Sequence, residues 1–253
     1  MIHGDTMKRV KRFAAFAILL PSAALATSSG SFTAAVDNTA CTINGTNGTL
    51  SAPIAGAVYL TPVTGLQVQV PTSTDIVITP SLVTGLYTDN KLSSSNSSSL
   101  QNVGLFVQVT IEPTSSLSGP IQISPNTTAT GGTGQPSLCT LPAGAPPGSA
   151  TSCAIYDQRF VQVSSSVISG LASCLLLGTT GTCFQLTQAT LSAHAFNWYA
   201  ALPTSGAYNV IVSASLVNTG STLTSGSAAA CAGPGTVTVT QVKNFSQNTP
   251  AQF

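Results

Sequence analysis

Val103-Gly104-Leu105-Phe106-Val107-Gln108-Val109-Thr110-Ile111 decides the fold, because Val103, Leu105, Val107, Val109 and Ile111 recur with a period of two. Side chains at that spacing stand on one face of an extended strand, so the segment reads as a core strand. Further along, 207–217 carries apolar residues on both faces at its middle (Val210, Ile211, Val212), as an inner strand covered on each side does. The turn Pro203-Thr204-Ser205-Gly206 before it is expected to fold 196–202 back against it as a hairpin. Alternation between Gly, Pro, Ser and Asn punctuation predicts further strands over 58–60, 65–70, 75–79, 121–124, 154–163, 184–199 and 236–245. Only 164–177 offers room for a short helix, and the stretches 93–99 and 127–134 read as polar surface loops.

The fold class is therefore all-β: a two-sheet antiparallel sandwich, jelly-roll-like, stapled by up to three disulfides. The immunoglobulin pattern of a core Trp between two bridged cysteines is poorly matched, since Trp198 follows Cys183 closely and the next cysteine is Cys231. The six cysteines, Cys41, Cys139, Cys153, Cys174, Cys183 and Cys231, form an even set without a Cys-x-x-Cys pair. Two pairs are close in sequence, Cys139 with Cys153 and Cys174 with Cys183, which leaves Cys41 for Cys231. Histidine partners for a thiolate metal site are lacking, so no metal and no cofactor is expected.

The N-terminus reads as an export signal. Lys8, Arg9, Lys11 and Arg12 precede the apolar run 13–20 and the small-residue site Ala24-Leu25-Ala26. The expected division is a leader over 1–26, a flexible arm with the first strand over 27–56, and one sandwich domain over 57–253. Without the leader the chain holds Asp37, Asp75, Asp89, Glu112 and Asp157 against Lys91, Arg159 and Lys243, a net charge of −2, with His194 as its one histidine. Three scattered cations are too few to neutralise a run of phosphates, which excludes nucleic acid as a partner. No later stretch reaches the roughly 18–20 apolar residues of a spanning helix.

This inventory restricts chemistry as well. A Ser-His-Asp hydrolase would need His194, which lies among Leu191-Ser192-Ala193-His194-Ala195-Phe196-Asn197-Trp198, where no Gly-x-Ser-x-Gly elbow surrounds a serine. His194, Phe196 and Trp198 share one strand face, which favours a partly buried imidazole. A glycosidase would need two carboxyl groups across a cleft. Glu112 precedes Pro113 at a strand end, and Asp75 and Asp89 sit in turn-like contexts, where capping is their expected role. Asp157 and Arg159, two apart, point the same way and form either a structural ion pair or a ligand grip. No residue is assigned as catalytic. Trp198, Tyr199, Asp157, Arg159 and His194 are the candidate ligand-binding residues, with Trp198 and Tyr199 as aromatic platforms for sugar rings.

The runs Pro80-Ser81-Leu82-Val83-Thr84-Gly85-Leu86-Tyr87-Thr88-Asp89, Tyr156-Asp157-Gln158-Arg159-Phe160, Leu191-Ser192-Ala193-His194-Ala195-Phe196 and Gly233-Pro234-Gly235-Thr236-Val237-Thr238-Val239 resemble those of secreted bacterial all-β proteins without an established activity. The likeness spans 76–245 and implies export and one domain, and it carries over no catalytic residue. A looser resemblance, to the jelly-roll heads of complement- and cytokine-like proteins, concerns fold alone. The expected function is an exported, non-catalytic sandwich for binding or assembly at the cell surface or outside the cell, with glycans, envelope components or further copies of itself as partners. Two alternatives stand beside it: a secreted hydrolase using His194 or a carboxylate pair, and a surface-fibre subunit.

Overall fold

The computed structural model describes residues 32–54, 61–70, 74–93, 98–117, 119–125, 139–164, 182–218 and 226–242. Ten strands run through them: β1 (Phe32–Asp37), β2 (Thr61–Val70), β3 (Thr74–Ser93), β4 (Ser98–Pro113), β5 (Gln122–Ser124), β6 (Ala150–Ser164), β7 (Thr182–Ala195), β8 (Trp198–Leu202), β9 (Gly206–Asn218) and β10 (Gly226–Val242). They form two antiparallel sheets. One has the order β1-β10-β3-β8-β5, with β7 also paired to β3, and the other the order β2-β9-β4-β6. From β1 to β6 each successive strand changes sheet, which gives the sandwich its jelly-roll-like course.

Between the sheets, Val103, Leu105, Val107, Val109 and Ile111 of β4 meet Ile76, Ile78 and Leu82 of β3, Val210 and Val212 of β9, and Trp198 of β8 in one buried cluster. The period-two reading of 103–111 thus holds. Phe106, Gln108 and Thr110 on the other face of β4 are buried too. Gln108 Nε2 donates to the Thr140 carbonyl and to Thr151 Oγ1, both at 2.6 Å. These contacts belong to the segment closed by the Cys139–Cys153 bridge (Cα–Cα 5.7 Å). On the chain-entropy model such a loop contributes about 3 kcal/mol.

Cys41 is bridged to Cys231 (Cα–Cα 5.5 Å). With Leu50 the two form a small second core against the outer face of the first sheet, where Ile43 and Tyr87 join it. Gly85 of β3 lies directly beneath, since a Cβ there would stand 2.7 Å from Cys231 Sγ and 2.8 Å from Cys41 Sγ. Cys183 is also disulfide-bonded, and its expected partner Cys174 lies outside the described residues. So do the leader, the strand expected at 58–60, the loop at 127–134 and most of the segment expected to hold a helix; the described residues contain no helix.

Three expectations change. The strand expected at 75–79 does not stop at Pro80 but continues to Ser93, because the carbonyl side of Pro80 still serves the sheet and only one N–H is lost. Asp89 is consequently a mid-strand residue, not a turn residue. The element expected over 184–199 is split at Phe196 and Asn197, opposite Pro80 and Thr79, and β8 resumes along β3 in the register of β7. Finally, β8 and β9 form no hairpin. β8 pairs with β3 and β5, whereas both edges of β9 are taken by β2 and β4, so the turn at 203–205 carries the chain from one sheet to the other. The first strand expected within 27–56 is β1, docked along β10 from Gly235 to Thr240.

Candidate functional site

At one side of the sandwich the edge strands β6 and β7 face each other from opposite sheets. The pairing of β6 with β4 steps from Leu105↔Asp157 to Phe106↔Ile155, leaving Tyr156 as the extra residue of a β-bulge. A bulge turns two successive side chains toward the same side. Tyr156 and Asp157 therefore both reach inward, and Arg159, two residues on, follows Asp157. On β7 the period of two aims Thr190, Ser192 and His194 back at them.

The contacts form a ladder across the rim. Tyr156 donates its hydroxyl to the Pro80 carbonyl (2.7 Å) and approaches that of His194 (2.8 Å). Its ring stands edge-on to the His194 imidazole, with centroids 5.8 Å apart. Asp157 Oδ2 accepts from Thr84 Oγ1 at 2.8 Å and from Ser192 Oγ at 3.1 Å, and lies 3.4 Å from His194 Nε2. Ser192 Oγ is also 2.8 Å from His194 Nε2 and 3.2 Å from Thr84 Oγ1, its cross-strand neighbour. Arg159 donates through Nη2 to Thr190 Oγ1, while its Nη1 is buried without a hydrogen bond among the described residues. Burial pushes the Tyr156 phenol up to about 12, an effect partly offset by the backbone of Leu82.

These distances separate a clamp from a catalytic triad. A triad sets the carboxylate on one ring nitrogen and the nucleophile on the other, so that the imidazole passes a proton between them. Here Asp157 and Ser192 both meet Nε2. If Ser192 gives its single proton to Asp157, it can only accept from Nε2–H, and the imidazole is then a donor rather than a base. The arrangement ties β3 and β7 of one sheet to β6 of the other.

Of the residues singled out from the sequence, Asp157, Arg159 and His194 come together on this rim. Asp157 and Arg159 do not form the ion pair expected of them: Asp157 is held by Thr84, Ser192 and His194, and Arg159 by Thr190. Trp198 is 0% exposed, so it has no face to offer a sugar and is corrected from platform to core, with Phe196 edge-on to it at 4.8 Å. Tyr199 is exposed, but it pairs with Val77 and Ser124 on β3 and β5, away from the clamp. Glu112 lies at the end of β4 opposite Asn209. Among the described residues no three His, Cys, Asp or Glu side chains gather where they would hold a metal. Beside the clamp, Arg159, Phe160 and Val161 of β6 and Thr187–Thr190 of β7 line an open groove of about 560 Å³.

Tyr156, Ser192 and Thr84 complete the clamp and were not foreseen. Ser192 was within reach, standing two residues before His194 on one strand face. Thr84 was hidden by the strand end expected at Pro80, and Tyr156 by a bulge that no residue type marks.

Fold and rim together define a disulfide-bridged antiparallel β-sandwich with a polar clamp between its edge strands. Set against known protein families, curated proteins and solved structures, the chain matches none.

Proposed function

We propose that this protein is an exported, non-catalytic β-sandwich that binds or assembles at the cell surface or outside the cell. The observation that carries this reading is that His194 Nε2 faces both Ser192 and Asp157, so the one histidine expected outside the leader serves a clamp rather than a proton relay. The bridged cysteines agree with an oxidising compartment. The nearly uncharged composition suits neutral partners such as glycans, and the groove beside Arg159 and Phe160 is the place for one. A glycan array and an envelope-binding assay on the chain from about Thr27, run with light scattering, test this. Binding or a stable oligomer is expected, and a monomer without affinity for glycans, envelopes or itself overturns it.

A secreted hydrolase is the second reading, favoured by the 2.8 Å approach of Ser192 Oγ to His194 Nε2, a nucleophile and base within reach. It requires a hydrolytic activity that disappears in folded Ser192→Ala and His194→Ala variants.

A further inference from the structure

The sheet edges of this molecule are not guarded alike. An open edge exposes unpaired N–H and C=O groups, and proteins blunt it by shortness, proline, bulges or inward-pointing charges. Four edge strands carry such devices. β1 has six residues and β5 three, the latter between Pro120 and Pro125. β2 contains Pro62 with a register shift beside it. β6 is bulged at Tyr156 and turns Asp157 and Arg159 inward.

β7 carries one only at its very start, a register shift at Cys183, and none from Phe184 onward. Its 14 residues include no Pro, Gly, Asp, Glu, Lys or Arg, and its register along β3 is unbroken from Phe184 to Ala195. Among the described residues it pairs with β3 alone. None of its positions is buried, and Leu191 is 42% exposed. Among the described residues, a groove separates it from β6 along Thr187–Thr190.

From this contrast we infer that the outer edge of β7 from Phe184 onward, unpaired among the described residues, is a self-association edge, on which β7 of a second copy adds antiparallel about a two-fold axis and joins two sheets into one. The inference rests on the binding-or-assembly reading and gives its partner. Charge selects that partner. About a two-fold axis each side chain near the centre meets its own copy, so any charged residue there faces its like. A charge-free strand escapes that cost, and its alternating N–H and C=O groups are self-complementary when antiparallel.

Gln188, exposed at the middle of β7, provides the test. Sedimentation velocity of the chain from about Thr27 at rising concentration should show a reversible dimer, with slower hydrogen exchange in β7 as it forms. Gln188→Lys and Gln188→Glu should each raise the dissociation constant by up to about fivefold, and an equimolar mixture of the two should recover association as a heterodimer. Unchanged thermal melting of each variant shows that the fold survives. A chain monomeric at every concentration, a dimer indifferent to both charges with unaltered β7 exchange, or an open-ended polymer overturns the inference. A monomer that still binds glycans or envelopes refutes the self-association edge and leaves the binding reading standing.

Discussion

β4 and β6 are hydrogen-bonded neighbours in one sheet, yet they are built on opposite terms. From Val103 to Ile111 every residue of β4 is buried, whereas β6 from Ile155 to Gln162 has none that is. Strand propensity does not separate them, for both are rich in β-branched and aromatic residues. Position does: β4 has β9 and β6 on its two edges, while β6 pairs with β4 alone among the described residues. The inner strand is covered on both faces, by the apolar core on one and by the packing of Phe106, Gln108 and Thr110 on the other, and the edge strand is held to the opposite sheet by specific hydrogen bonds.

This contrast predicts a ranking of stabilities. Leu105→Ala should be the most damaging change, lowering the unfolding free energy by about 2–5 kcal/mol in urea titration, because a filled interior cannot close over the missing methyls. A loss below that of any rim variant would break the comparison. Asp157→Ala should cost about 1–3 kcal/mol, since Thr84 and Ser192 lose a shared acceptor inside the sandwich. Asp157→Asn, which keeps one acceptor oxygen, should recover part of that loss.

Tyr156→Phe should cost about 1 kcal/mol at neutral pH through the lost hydroxyl contact. Its sharper signature is alkaline. The folded chain holds the phenol protonated up to about 12, against an ordinary value of 10.0. Folded protein thus keeps a proton that unfolded chain has lost, and stability present below pH 10.0 drains away as pH rises through about 12. Urea titrations below and inside that window should show a decline that the Phe variant lacks; equal declines would mean that burial of Tyr156 contributes nothing. Smallest of all, Gln188→Lys should change monomer stability by no more than about 0.5 kcal/mol, since the side chain is exposed.

What the sequence reveals follows the same division. The β4 core was legible because burial on an inner strand leaves a period-two signature that needs no knowledge of neighbours. The pairing of Cys139 with Cys153 follows from closeness in sequence, and Cys41 with Cys231 is the pair that the two near pairings leave over. The rim was half legible. Asp157, Arg159 and His194 stand out as rare ionisable groups, but their partners depend on which strands oppose them. Pro80 misled because proline usually ends a strand, and here β3 passes through it. The bulge at Tyr156 is an agreement between two strands rather than a property of one, so neither sequence announces it. The crossing after β8 escaped for a related reason: a turn of four residues looks the same whether it joins partners in one sheet or leads to the other.

The Cys41–Cys231 bridge has a mechanical consequence. Tension applied at the N-terminus would strip β1 from β10 one pair at a time, beginning at Phe32↔Thr240 and ending at Asp37↔Gly235. Peeling then stops at Cys41, where a covalent bond passes the pull into β10 and through its long ladder to β3. The short strand behaves as a yielding tether and the bridge as its anchor, so the sandwich behind it can stay folded while the leading segment gives way.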